Sequence, residues 1–480
     1  MTCDQEYGLR VRAPAPPLCR CDTIVSVRLQ LSRAAIAVVL AIPALRAQNT
    51  ANEDFHVYRD APRLLLTPQR LRLVQRERER QSPRWEQFDA LVSGGAPMAE
   101  PGFAFALHYQ VTRQAASAKR AVDWALSAQA TDLRQLALVF DWCSPAMTEA
   151  QSASLAAKIQ RGMATPATDV RGQSARVFAA ISLADRLSDQ GDAILRDVIQ
   201  KWWRGQIVPQ LAAGRAALPR DQRYALYEML HAVRDSLRID LREQASGYFQ
   251  DLPVAHLAGH YPAPFAAPEN EFLIPAYLHD GNPDPAEAAM SRAAGLAMVA
   301  YDTNALDSQL LQGWLMRDRF VMRGALGAVY EFLWANPYQP GLNYDHVPLV
   351  FHETHSGEVF ARTSWDEDAT WIGYFDGRLQ LFQNGGLQTL RAGAAFKPVQ
   401  VGAATIASAT ATDAGKFRVE NEALFVLGLA PRSEYAVEID DQELELLETD
   451  TGGTLLVPNS GSTGVGVRLR LKGSSPDAIK

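Results

Sequence analysis

The chain has 480 residues, 47% hydrophobic and 21% charged, with a formal net charge of −7. That composition excludes a disordered protein and suffices for two domains, each with its own core. The first 47 residues carry six arginines against three acids, so the remainder is more acidic than the whole, which argues against nucleic acid as a partner and against heavily sulphated glycans, both of which ask for a basic cleft.

Arg28-Leu-Gln-Leu-Ser-Arg33, followed by the apolar run Ala34–Leu45 and by Ala44-Leu-Arg-Ala47, reads as a signal peptide over 27–47. The run is shorter than the roughly 20 residues needed to cross a bilayer. Export to the periplasm or the medium is therefore expected, with the mature chain starting near Gln48 and no integral membrane segment in it. Residues 1–26 match neither a signal nor a fold and are expected to be an extension from a start codon placed too early, ahead of Val27. Beyond the leader only Cys143 remains, which leaves no internal disulfide and no cysteine-based zinc site.

Pro62–Pro68 precedes a charged helix at Gln69–Arg80, where Thr67 can cap and Pro68 occupies the first turn. Apolar residues at three- and four-residue spacing then predict helices over Leu133–Phe140, Glu149–Gln160, Ser174–Leu187, Ala193–Val208, Asp221–Arg242, Ala286–Tyr301 and Ser308–Trp334. Thr148 and Gln151 form a capping box before the second of these. Asp251–Pro285, rich in proline and aromatics, reads as a long ordered loop of the kind that lines a groove. Asn336-Pro-Tyr-Gln-Pro-Gly341 ends the helical half.

Short alternating runs follow at Glu358–Arg362, Thr370–Phe375, Lys416–Leu427, Tyr435–Ile439, Leu444–Glu448, Thr454–Val457 and Val465–Leu471. Turns at Asp376-Gly377, Gly385-Gly386, Thr451–Gly453 and Gly461–Gly464 separate them, so an antiparallel sheet domain is expected. The acidic stretch Glu438–Asp450 reads as a solvated strand edge rather than a calcium loop.

Val359-Phe-Ala-Arg362-Thr-Ser-Trp365 and Asp368-Ala-Thr-Trp371 resemble the start of the β-domain in heparinase II/III-like polysaccharide lyases. Pro62–Arg70 and Phe140-Asp141-Trp142 with Thr148-Glu149 look like the same family. The resemblance implies a two-domain α+β protein. An incomplete α/α toroid over 48–345 would be followed by an antiparallel β-sandwich over 346–472, with a tail at 473–480. It also implies cleavage of uronate-containing polysaccharide by β-elimination. There a base takes the proton α to the carboxylate, a donor protonates the departing oxygen, and a cation or amide holds the carboxylate. Such lyases usually carry an Asn-His pair, a tyrosine on another helix and a His-x-His segment. Here Gly377–Gly386 holds no histidine and no Asn-His dipeptide occurs.

Acid–base groups are therefore sought elsewhere. Tyr224, Tyr227, His231 and Arg234 share a helical stripe, from which Tyr227 and His231, with Tyr330, are expected to be catalytic and Arg234 to clamp the carboxylate. The bland alternative is the wet side of an amphipathic helix, with His231 satisfied by Glu228 or Asp235. Tyr224, Glu331, Trp334, Asn336, Tyr338, Tyr344 and His346 supply the aromatic and amide groups that bind sugar rings, or else an aromatic plug between domains. His352 and His355 fall on opposite faces of a strand, so no metal is expected, nor any cofactor. Glu269-Asn270-Glu271 and Asp318-Arg319 are further candidates. A non-catalytic glycan-binding or envelope protein, and a glycoside hydrolase using Glu228 and Glu331, remain as alternatives; the latter needs its carboxylates roughly 5 to 10 Å apart.

Overall fold

The structure, a computed structural model, describes residues 55–267, 271–316, 321–353, 356–391, 396–409, 416–419, 422–440, 445–458 and 464–472. The chain divides into two units, Met1–Asp54 and Phe55–Lys480, and all described residues belong to the second. The leader, the 473–480 tail, Glu269, Asn270, Asp318, Arg319 and His355 lie outside the described residues.

Helices fill the span from Pro68 to Trp334. Thr67 caps Pro68–Glu79 by accepting from Arg70 N–H, and the Thr148/Gln151 capping box opens Glu149–Met163. Six helices pack side by side, each against the next: Pro101–Thr112, Leu133–Cys143, Val170–Ser182, Arg223–Leu237, Pro285–Tyr301 and Gly324–Trp334. Pro101–Thr112 is buried continuously from Gly102 to Val111, as expected of a helix apolar all round. The ends of the row meet, since the Tyr330 hydroxyl donates to Glu100 at 2.6 Å and its ring packs 5.2 Å from that of Phe103.

Asp141 ties the segment before the first helix to this row. Its Oδ2 accepts from the backbone N–H of Arg63 at 2.7 Å and of Leu64 at 2.9 Å, while Trp142 Nε1 donates to Leu64 O at 2.9 Å. Two of the three stretches that carry the family resemblance thus touch each other.

Three sheets follow. The first is an antiparallel meander of Val350–Glu353, Glu358–Arg362, Trp371–Phe375, Arg378–Gln383 and Gly386–Arg391. The middle sheet orders Leu455–Pro458, Ala423–Leu427, Ala404–Ser408 and Val399–Val401, with Ala423–Leu427 parallel to Ala404–Ser408. The outer sheet holds Lys416–Val419, Val465–Leu471, Glu434–Ile439 and Glu445–Glu448. Two-residue periodicity assigns the faces. Phe360, Trp371 and Phe375 join the helical core, while Val359, Ile372 and Tyr374 pack against Ile406, Phe425 and Leu427 of the middle sheet. Leu424, Val426 and Leu455 face the other way, onto Val437, Val467 and Leu469 of the outer sheet.

The first sheet is bolted to the helices by polar contacts at Arg362 and Trp371. Trp371 Nε1 donates to Ala258 O at 2.9 Å, and Arg362 Nη2 to His260 O at 2.6 Å with its guanidinium 4.0 Å over Trp365. Tyr261 OH and Gln380 add a 2.8 Å bond across the same junction.

Several expectations are corrected. Asp251–Pro285 is not all loop, because Ser246–Ala258 forms a helix with Pro253 inside it. Ser308–Trp334 is two helices, Leu306–Leu315 and Gly324–Trp334, the second starting at Gly324 with φ +74°. Lys416–Leu427 is two strands, Lys416–Val419 and Ala423–Leu427, placed in different sheets. The parallel pair makes the sheet region not wholly antiparallel.

Burial raises the Asp141 carboxyl from 3.8 to about 6, against the pull of the Leu64 and Arg63 N–H groups. A carboxyl raised in the folded state stabilises the fold fully below its unfolded pKa and loses that contribution as pH rises through about 6. Relative to Asp141→Asn, the wild type should therefore lose on the order of 3 kcal/mol between about pH 4 and 7. Denaturant titrations of both proteins at the two pH values measure this, and parallel pH profiles would refute it.

Candidate functional site

The helix Arg223–Leu237 runs between two recesses. Tyr224 and Arg234 are ten positions apart on it, about 15 Å at the helical rise. Arg223 and Tyr224 at its first turn line one recess, and Arg234 and Asp235 in its last turn line another.

The first opening lies where helices and first sheet meet. Two adjoining recesses of about 250 and 460 Å³ share Arg220, Arg223 and Ala255. The smaller adds Tyr248 from the helix Ser246–Ala258 and Glu353, Ser356 and Glu358 from the sheet side; the larger adds Arg171, Tyr224, His256 and His260. Together they form a trough at the junction.

Arg220 is bound to the sheet, 3.1 Å from Glu358 and stacked 3.9 Å over Phe375; burial lowers its pKa although Glu358 opposes that. Arg223 differs. It is 8% exposed, its Nε is buried without a hydrogen-bond partner, and it makes no ion pair among the described residues. His256 is also buried, with neither ring nitrogen hydrogen-bonded. Gly295 permits that placement, since a Cβ there would come within 3.0 Å of His256 Nε2. His260 Nδ1 donates to His256 O at 2.6 Å and its Nε2 accepts from Ser291 Oγ at 3.1 Å.

Burial drives His256 well below the ordinary imidazole value and His260 down to about 3, so both rings are neutral near pH 7. Tyr248 is pushed up to about 12 by burial, with Arg223 pulling the other way, and keeps its proton. The trough thus offers an unpaired guanidinium and a protonated phenol, with an unpartnered imidazole, 1% exposed, sealed behind its wall.

The second opening is a recess of about 830 Å³ beside the helix Pro68–Glu79. Its walls carry Arg70, Arg72, Arg76, Arg234, Trp334, Asn336 and Tyr338. Four of the residues expected to bind substrate therefore share one recess, and Tyr224 lies on the other.

The remaining expected groups line neither opening. Tyr227, His231 and Tyr330 are at most 1% exposed. His231 Nε2 donates to Ala297 O at 3.0 Å and Nδ1 accepts from Arg234 Nη2 at 3.3 Å; burial holds it neutral. Neither Glu228 nor Asp235 satisfies it, Asp235 Oδ2 lying 4.0 Å away. Tyr344 packs edge-on against Trp365, and His346 is exposed. Among other candidates, His352 Nε2 lies 2.7 Å from Asp450 Oδ2. No group of three or more His, Cys, Asp or Glu able to hold a metal occurs among the described residues.

Glu228 and Glu331 serve as counter-ions. Arg134 grips Glu228 with Nε and Nη2, each at 2.6 Å, and reaches Glu100 with Nη1 at 2.9 Å. Tyr224 donates to Glu228 and accepts from Trp334 Nε1 at 3.0 Å. Glu331 is held by Arg292 at 2.9 Å and Arg84 at 3.2 Å.

No family model matches the chain, and no curated protein matches it. Among solved structures it is similar to the heparan sulfate lyase HepC of Pedobacter heparinus, at 12% identity over 78% of this chain and 76% of that one, with a TM-score of 0.36. A mutant of the same lyase gives 13% identity over 77% and 75%, TM-score 0.36. A glycoside hydrolase gives 10% over 78% and 71%, TM-score 0.31. At these values the likenesses carry no inference about activity.

Removing Arg134 leaves the buried Glu228 carboxylate unpaired beside the half-buried Glu100. Arg134→Met should destabilise the fold by about 3 to 5 kcal/mol, with chemical denaturation as the measurement; a loss under about 1 kcal/mol would show that the network is dispensable.

Proposed function

We propose that this is an exported glycan-handling protein whose helical ring and sheets form the toroid-and-sandwich frame of a divergent polysaccharide lyase. In this reading it takes a uronate-containing chain into the junction trough. The observation that carries the proposal is Arg223, a buried guanidinium without a counter-ion, placed between an unpartnered imidazole and a protonated phenol. A buried charge is ordinarily paired, and the carboxylate of a uronate supplies the missing partner. Neutralising that carboxylate acidifies the α-carbon.

His256, 1% exposed, takes the proton from that carbon once the wall in front of its ring has opened to the guest, and the C–H electrons form the new carbon–carbon double bond. The bond to the glycosidic oxygen breaks, and Tyr248 protonates the oxygen as it leaves. Return of the proton from His256 to Tyr248 resets the site, with no water or metal in the balance. The weak basicity of buried His256 would rise beside an anionic guest, because a nearby opposite charge favours imidazolium.

A second reading, binding without turnover, is favoured by that same low basicity. Assay of the purified protein on a panel of uronans, following the ultraviolet absorbance of the unsaturated product, separates the two. Turnover is expected. His256→Ala should lower it by about 10²-fold or more. Arg223→Met should abolish it while leaving the melting midpoint unchanged or raised, since an unpaired buried charge is lost. Folded protein that binds uronan without releasing unsaturated product would establish the binding reading, and absence of both would defeat the proposal.

A further inference from the structure

The recess at the far end of the helix Arg223–Leu237 has no part in the chemistry of the trough, yet it repeats the same unpaired feature. Arg70 is 9% exposed and lies on its wall. The guanidinium donates through Nη1 to Leu65 O at 2.7 Å and stacks 4.0 Å over Trp334, and it makes no ion pair among the described residues. Burial lowers its pKa to about 10, so it remains charged at neutral pH. Asp235 on the same wall is its main opposing charge without forming an ion pair, and with Arg72, Arg76 and Arg234 also there the wall keeps an excess of positive charge that suits an anion.

The neighbours restrict what that anion is. Arg72 and Arg76 are exposed and add positive charge to the same wall. Arg234 is already engaged, with Tyr301 O at 2.7 Å and Asp235 at 3.1 Å, and sets the recess's back edge rather than a free cation. Asp235, its side chain 9% exposed, has an Oδ2 without a hydrogen-bond partner, which suits a hydroxyl donor and repels a bare anion. Tyr338, 41% exposed on the rim with Arg76 and Arg80 guanidinia 5.5 and 5.1 Å from its ring, offers an aromatic face to a sugar ring. At about 830 Å³ the space falls within the size of ligand pockets.

We infer that this recess is a second binding site, separate from the trough, for a sugar bearing an anionic group, with the anion on Arg70 and the hydroxylated ring against Tyr338 and the polar rim. The anionic oxygens could belong to a sugar acid or a sugar phosphate, which share that chemistry.

Isothermal titration of the full-length protein with glucuronate, glucose 6-phosphate, glucose and inorganic phosphate tests it. At least one of the two anionic sugars should bind with a Kd below about 1 mM, and which one does assigns the anion. Glucose should bind at least tenfold more weakly. Arg72→Ala with Arg76→Ala, both at exposed positions, should weaken the binding at least tenfold, and Arg70→Met should do the same in protein shown by circular dichroism to be folded. Arg223→Met should leave it unchanged, so that failure of the trough proposal leaves this one standing. No binding of either sugar, inorganic phosphate binding as tightly as the sugars, or affinity that survives both arginine variants would overturn it.

Discussion

Moving a guanidinium out of water is tolerable only when something replaces the water's polarity, and this chain answers that constraint differently at each buried arginine. Arg134 is clamped by Glu228 and Glu100, Arg292 by Glu331, and Arg63 by Asp185. The first two sets lie between helical segments distant in sequence, and the third ties the stretch before the first helix to the turn after Val170–Ser182, so together they fix which neighbours meet. Buried Glu228 and half-buried Glu100, the latter just ahead of the helix Pro101–Thr112, meet with Arg134 between them; burial pulls the Arg134 charge down, yet Glu228 and Glu100 hold it above its ordinary value. Arg70 and Arg223 are buried as deeply without an ion pair among the described residues, Arg70 with only Asp235 opposing it from across its recess, and both sit on the walls of openings. Arg362 shows that an unpaired arginine can be structural. It spends its donor on His260 O, stacks on Trp365 and lines neither opening.

That strut places the trough. Arg362 and Trp371 reach across to the carbonyls of His260 and Ala258 at the end of the helix Ser246–Ala258. The same turn of chain carries His256 and His260, so docking the sheet also positions the imidazoles. Arg220 completes the arrangement from the other side through Glu358 and Phe375. The middle sheet, apolar on both faces, then backs the first sheet against bending.

Much of this frame was legible in the sequence because it rests on local rules. The Thr67 and Thr148 caps and the Asp376-Gly377 turn are fixed by side chains within a few residues, and both turn residues take positive φ. Ser246–Ala258 escaped for a physical reason: its first half is largely exposed and its second half almost wholly buried, so no single stripe runs its length, while Pro253 argues against a helix. Ser308–Trp334 looked continuous because two apolar helices follow each other with compatible spacing. The Tyr224–Arg234 stripe is real, but a face shared over ten residues runs from one recess to the other, and its middle, Tyr227 and His231, is spent on packing. Arg223 and His256 carried no signal in common, being 33 positions apart and joined only by the fold.

Order of events at the trough follows from the same electrostatics. With the trough unoccupied, burial keeps His256 neutral and far below its ordinary pKa, and Tyr248 stays protonated at about 12. On the proposed reading neither can start a reaction alone. An incoming carboxylate changes both terms at once: it offsets the Arg223 charge that disfavours imidazolium nearby, and it brings the acidic C–H toward the unpartnered His256 ring. Proton transfer is thereby conditional on guest binding, which protects a buried base from titrating with solvent. The cost is an apo state that holds an uncompensated charge. The fold carries that strain where the clamped arginines elsewhere have made the helices rigid enough to bear it.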